Sequence, residues 1–161
     1  MTMPKSGFFK KFKSFFTQGA SPKALAASST IGVVMGIFPV IGVTTLMMGA
    51  ISVRWKLNLP LMLAVSYLIY PLQIVLMIPF VRVGEWLTGS KYVSFSFEKM
   101  GQAFEADFMG ALADLGTANL QAVAGWGLFS IPAAAGMYLL LIPIYSKIIG
   151  RTKLVEANYG Q

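Results

Sequence analysis

Cysteine and histidine are both missing from the 161 residues. Their absence rules out disulfides, thiolate or imidazole metal ligands, and any Ser-His-Asp or Cys-His nucleophile. Charge is scarce too. Asp, Glu, Lys and Arg make up 12% of the chain, against about 25% in a soluble domain. Six acidic residues leave few arrangements for paired-carboxylate catalysis. No catalytic residue, metal ligand or cofactor is expected, and the chain reads as a non-enzyme.

What is present is apolar. Hydrophobic residues make up 56%, and charge is absent from residues 24–53, 57–81 and 115–146. About 20 apolar residues in a helix suffice to cross a bilayer. The fold class is therefore an all-α integral membrane protein. The net charge is +7, but the cations sit at the ends of the apolar runs. Anionic lipid and the positive-inside bias account for that placement. No basic groove interleaved with aromatics exists, so nucleic acid is not an expected partner.

The first long run is interrupted at Phe38-Pro39-Val40-Ile41-Gly42. Proline removes an N–H and clashes with the preceding turn, and glycine permits a reversal. Neither flanking piece, 24–37 or 43–53, is long enough to span alone. Two arrangements fit: a kinked single span, or a re-entrant hairpin that turns at residues 38–42 and returns to the side it entered from. In both, the break should be sheltered by protein or a wet cavity. The spans 57–81 and about 120–146 cross fully. In the 57–81 run a second break is expected at Tyr70-Pro71, with Gln73 nearby.

Charge bias separates the two arrangements. With a re-entrant hairpin, both termini share one side with ten of the thirteen cations, Arg54 and Lys56 among them. With three full crossings, the N-terminal side keeps only eight. The hairpin is preferred, with both termini cytoplasmic.

Amphipathic segments flank this core. Phe8, Phe9, Phe12, Phe15 and Phe16 share one helical face and Lys10, Lys11 and Lys13 another. Residues 1–20 thus form an interfacial helix. Ser21 and Pro22 suit the N-cap and first turn of the next helix. Residues 21–150 form a single helical membrane domain, and 151–161 a C-terminal tail. A second surface helix is expected at 99–113, with Asp114 capping the helix that follows. Arg82 and Glu85 are spaced to pair on one face. Gly32 and Gly36 favour close helix packing. The methionines at 35, 47, 48, 62 and 77 suit irregular packing or acyl chains. A copper path is disfavoured because no paired Met-x-x-Met or histidine accompanies them.

Taken together, Gly32-x3-Gly36-x-Phe38-Pro39-x2-Gly42, then Arg54-x3-Asn58-x-Pro60, then a later proline, resemble a bacterial membrane family. It is catalogued as domain of unknown function 2062. The resemblance covers residues 21–89. One position departs: Tyr70 precedes Pro71 where the family usually has asparagine. The resemblance implies a bacterial inner-membrane protein with proline-centred broken segments.

The candidate binding residues follow. Pro39, Gly42, Thr44 and Thr45 surround the first break, and Tyr70 and Pro71 the expected second. Arg54, Lys56 and Asn58 are placed to hold a phosphate at the cytoplasmic edge, since guanidinium binds phosphate through a fork of donors. The expected function is handling or translocation of an anionic lipid or polyprenyl-phosphate carrier, by a homo-oligomer. The alternative is a non-transporting scaffold that oligomerises or docks a partner protein.

Overall fold

The structure, a computed structural model, describes residues 21–40, 42–89, 101–102 and 105–159, with side chains to residue 150. The N-terminal amphipathic helix lies outside the described residues, as does most of 90–104. The four long elements are all helical: α1 (Pro22–Gly36), α2 (Thr44–Trp55), α3 (Leu59–Thr88) and α4 (Phe108–Tyr159). Two of them, α3 and α4, are long and apolar enough to cross a membrane.

The helix starts follow local chemistry. Ser21 Oγ accepts from Ala24 N at 3.2 Å, with Pro22 in the first turn. Asn58 Oδ1 accepts from Leu61 N at 2.9 Å and so caps α3 ahead of Pro60. Asp107 Oδ1 accepts from Gly110 N at 3.1 Å and caps α4. A side-chain oxygen satisfies an otherwise orphaned N–H in each case. The cap of α4 corrects two expectations. Asp114 is an exposed residue inside α4, not its cap. Residues 108–113 are the opening turns of α4, so the surface helix expected at 99–113, of which 101–102 and 105–106 are described and helical, stops short of them. Long charge-free runs mark what enters lipid, whereas a helix begins where its first donors are capped. α4 also carries on beyond residue 150, to Tyr159.

The break in the first run is present between α1 and α2. Gly42 has φ +92°, a left-handed conformation open to glycine at little steric cost. The expected break at Tyr70-Pro71 is absent, because α3 runs unbroken through Pro71 and Pro79. A proline alone forfeits one hydrogen bond and kinks the helix. Pro39 ends its helix because a left-handed glycine follows three residues on, and no glycine closely follows Pro71. Pro132 and Pro143 likewise stay inside α4. These four helical prolines are exposed, whereas Pro39 is buried.

Contacts define the path. Asn58 N donates to Ser28 Oγ at 2.9 Å, so the chain leaving α2 has returned to the start of α1. The same offset recurs along α1 and α3. A Cβ on Gly32 would lie 2.7 Å from Met62 O, and one on Gly36 3.0 Å from Ser66 O. The two helices therefore run parallel, their backbones drawn together by absent side chains. α4 runs antiparallel to both: Gly84 abuts Gln121, Gly125 abuts Phe80, and Ser29 Oγ lies 2.6 Å from Tyr145 Oη. Met35, Met48 and Met62 form a buried seam joining α1, α2 and α3, as flexible thioethers suit. Phe80, Val81 and Ala122 form a second seam between α3 and α4.

Charge is segregated by this arrangement. Lys23, Arg54, Lys56 and Lys147 gather at the end where α1 begins and α4 approaches its close. Glu85, Glu105, Asp107 and Asp114 gather at the other, with Arg82 paired to Glu85 at 3.2 Å. Arg82 is 64% exposed, so the pair is a surface bridge rather than a buried gate. Exposed Trp55 and Trp86 stand at opposite ends, as interfacial tryptophans do.

A Cβ on Gly84 or Gly125 would run into the facing backbone, whereas one on Gly116 meets nothing within 4 Å. Gly84→Ala and Gly125→Ala should each destabilise by roughly 1–3 kcal/mol. Gly116→Ala should be neutral or stabilising by up to about 1 kcal/mol. Thermal unfolding in detergent, followed by circular dichroism, checks the contrast.

Candidate functional site

The tip of the α1–α2 hairpin is where the backbone needs most help. Pro39 has no N–H to give, and Phe38 N bonds Met35 O at 3.2 Å, a tighter turn than the α-helical one. That leaves the carbonyl of Val34 without the donor that an unbroken helix would supply. Trp126 Nε1 of α4 donates to it at 3.0 Å. Beyond it, Phe38 O accepts from Gln73 Nε2 of α3 at 2.6 Å. Gln73 is 7% exposed, so this bond lies in the interior. The Phe38 and Trp126 rings meet edge to face, with centroids 4.8 Å apart at 81°. Two helices distant in sequence thus each contribute one donor to the broken end.

Beside the tip is a cleft of ≈ 210 Å³, lined by Met35 and Gly36 of α1, Gly42, Thr44, Thr45 and Met48 of the hairpin's return, and Ser66, Tyr67, Tyr70 and Gln73 of α3. Its buried lining pairs Met35 and Met48 with Ser66 and Gln73. No side chain caps the start of α2, and Met47 N bonds Val43 O at 3.0 Å. Thr44 Oγ1 donates to Val40 O at 3.2 Å. None of the ten lining residues is charged.

The candidate residues therefore separate into two groups. Gly42, Thr44, Thr45 and Tyr70 line the cleft, and Pro39 is buried in the adjoining tip. Pro71 is exposed on α3 and does not line it. Arg54 and Lys56 are exposed at the far end of α2, about 15 Å away at 1.5 Å of rise per residue. Asn58 stands with that second group, its side-chain oxygen engaged as the cap of α3. Sequence reasoning missed Ser66, Tyr67 and Trp126 and understated Gln73. A signal was there: Ser66, Tyr70 and Gln73 are spaced four and three apart, a polar stripe along one face of an apolar helix.

A family model described as "Uncharacterized protein conserved in bacteria (DUF2062)" matches residues 7–153. The chain belongs to this family. The match takes in the hairpin, the cleft and nearly all of α4, well beyond the residues 21–89 that carry the motif. No curated protein and no solved structure matches the chain. The family's glycine, proline and asparagine positions now have physical roles here. Gly32 and Gly36 admit α3, Pro39 and Gly42 end α1 and turn the chain, and Asn58 caps α3.

Gln73→Leu would strand the Phe38 carbonyl and should cost about 1–3 kcal/mol. Trp126→Phe keeps the ring contact but loses the donor to Val34, at a cost of about 1 kcal/mol. Both should raise amide hydrogen exchange at residues 34–45, with little change in α4 near Asp107.

Proposed function

We propose that this protein is a bacterial inner-membrane protein that binds and moves a lipid or lipid-linked carrier at the tip of a hairpin re-entering from the cytoplasm. The observation that carries this reading is a cleft with a partly polar lining at the mid-length of an apolar helix. Tyr70 lies midway between Lys56 and Arg82 in sequence, about 20 Å from each along α3. A bilayer core is about 30 Å thick, so the cleft lies near its centre when α3 crosses. The hairpin legs have 15 and 12 residues, about 22 and 18 Å, too short to cross. The return of Asn58 to Ser28 fits entry and exit on one side.

The segregation of charge supports the orientation. The end with Lys23, Arg54, Lys56 and Lys147 is the cytoplasmic one under the positive-inside bias. Arg54 and Lys56 there meet the phosphate of an anionic lipid or polyprenyl-phosphate carrier at the headgroup layer, and the cleft is the deeper station. One small protomer offers few walls for a passage, so the reading includes a homo-oligomer. The scaffold reading loses one support, because Gly32 and Gly36 pack against α3 within the chain and do not form a free face.

The absence of cysteine makes the topology directly measurable. Single cysteines introduced as Ser21→Cys and Lys56→Cys should react with a membrane-impermeant maleimide from the cytoplasmic side. Gly89→Cys should react only from the periplasmic side. Labelling of Ser21→Cys and Lys56→Cys from opposite faces would eliminate the re-entrant hairpin. For the lipid reading, the Arg54→Ala/Lys56→Ala protein should co-purify with less than about half the anionic lipid of the parent, since each cation near the surface contributes about 1 kcal/mol.

A further inference from the structure

Most side-chain hydroxyls of the apolar helices are satisfied locally. Ser28, Thr44, Ser52, Thr88, Thr117 and Ser146 each donate to a carbonyl three or four residues earlier. That back-bonding is how a hydroxyl is accommodated where no water is present. Thr30 and Ser130 stay unbonded in the packed interior, and around the cleft, Thr44 aside, several more such hydroxyls gather. The hydroxyls of Thr45, Ser66, Tyr67 and Tyr70 have no hydrogen-bond partner among the described residues. Ser66 is only 6% exposed, so its free hydroxyl faces little but the cleft. Tyr67 and Tyr70 are 66% and 41% exposed, at a depth where an unpaired hydroxyl is costly. Four unmet hydroxyls around one concavity point to an occupant that both donates and accepts.

The same cleft is poor in what a phosphate needs. Its lining holds no cation, and Arg54 lies about 15 Å away along α2. A phosphate dianion or monoanion held there would be a buried, uncompensated charge, the costliest group to desolvate. Hydroxyls suit hydroxyls, since each can donate one bond and accept others.

We infer that the cleft between the hairpin tip and α3 binds an uncharged, hydroxyl-bearing group, a glycerol or single sugar, and not a phosphate. This rests on the lipid reading for the source of that group, while the chemistry of the cleft stands apart from it. Phosphate recognition belongs to Arg54 and Lys56 at the hairpin's base, and hydroxyl recognition to Thr45, Ser66, Tyr67 and Tyr70 at its tip. A volume of ≈ 210 Å³ admits one small headgroup.

The test uses the full chain in a detergent without a sugar head. It is incubated with a monoglucosyl diacylglycerol or with phosphatidic acid of the same acyl chains, and bound lipid is counted by native mass spectrometry. The glucolipid should be retained at least about tenfold over phosphatidic acid, as expected of a site built to pair hydroxyls. The near-isosteric variant Thr45→Val/Tyr70→Phe should lose that preference while melting at the temperature of the parent. Ser66→Ala, which removes only an unpaired oxygen, should weaken retention in the same direction. Excess methyl glucoside, the same head without chains, separates the sources. If it binds with the same sensitivity to the variants while the glucolipid does not, the hydroxyl chemistry holds and the lipid reading fails. Equal or tighter retention of phosphatidic acid overturns the inference and leaves lipid handling standing. Retention of every probe unaffected by all three substitutions overturns both.

Discussion

A helix that stops inside an apolar protein must have its last carbonyls met by something other than water. Here that demand falls on two carbonyls, of Val34 and Phe38, and two side chains meet it, Trp126 from α4 and Gln73 from α3. Much of the architecture serves this pairing. α3 must pass close enough for an amide to reach Phe38, and Gly32 and Gly36 let it. α4 must lie against α1 at the level of the break, and Gly125, next to Trp126, brings it against α3 there. In a membrane setting, where burial of apolar surface does little to hold helices together, such bonds and close backbone packing specify the arrangement.

The same solution produces the cleft. Once α1 ends short, its partner α3 continues alone on that side, and the residues it would have covered face open space. Ser66, Tyr70 and Gln73 occupy one stripe of α3, but their circumstances differ. Gln73 is spent on the backbone of the tip, while Ser66 and Tyr70 are left with free hydroxyls. Structure and candidate chemistry are therefore neighbours on one helix face, three or four residues apart. Tyr70 is the position at which the motif is expected to carry asparagine. It retains a polar group at the cleft without breaking the helix, consistent with α3 passing smoothly through Pro71.

How much of this was legible beforehand depended on whether a feature is local. The break at Pro39 and Gly42 was readable because helix disruption and left-handed permissiveness reside in those two residues. The caps at Ser21 and the start of a helix near Pro22 were readable for the same reason. The second break at Pro71 was misread, since proline is tolerated in a long helix with its ring turned outward, and no neighbouring residue turned the chain. Asp107 was passed over for Asp114 because the eye follows the charge-free run, whereas the cap is set by which carboxylate meets the first free N–H. Trp126 could not have been assigned its partner at all. Its bond to Val34 spans 92 positions, and nothing local encodes it. The separation of Arg54 from Thr44 and Thr45 was legible for a local reason: a helix of 12 residues holds its two ends about 15 Å apart.

The half-length hairpin has a consequence for shape. Among the described residues, α1 and α2 accompany α3 and α4 at the basic end, while beyond the tip α3 and α4 continue without them, so this part of the body tapers. Seated in a bilayer with that end at the cytoplasm, it displaces more lipid area from the inner leaflet than from the outer. A taper of that kind suits membrane bent around its broad side.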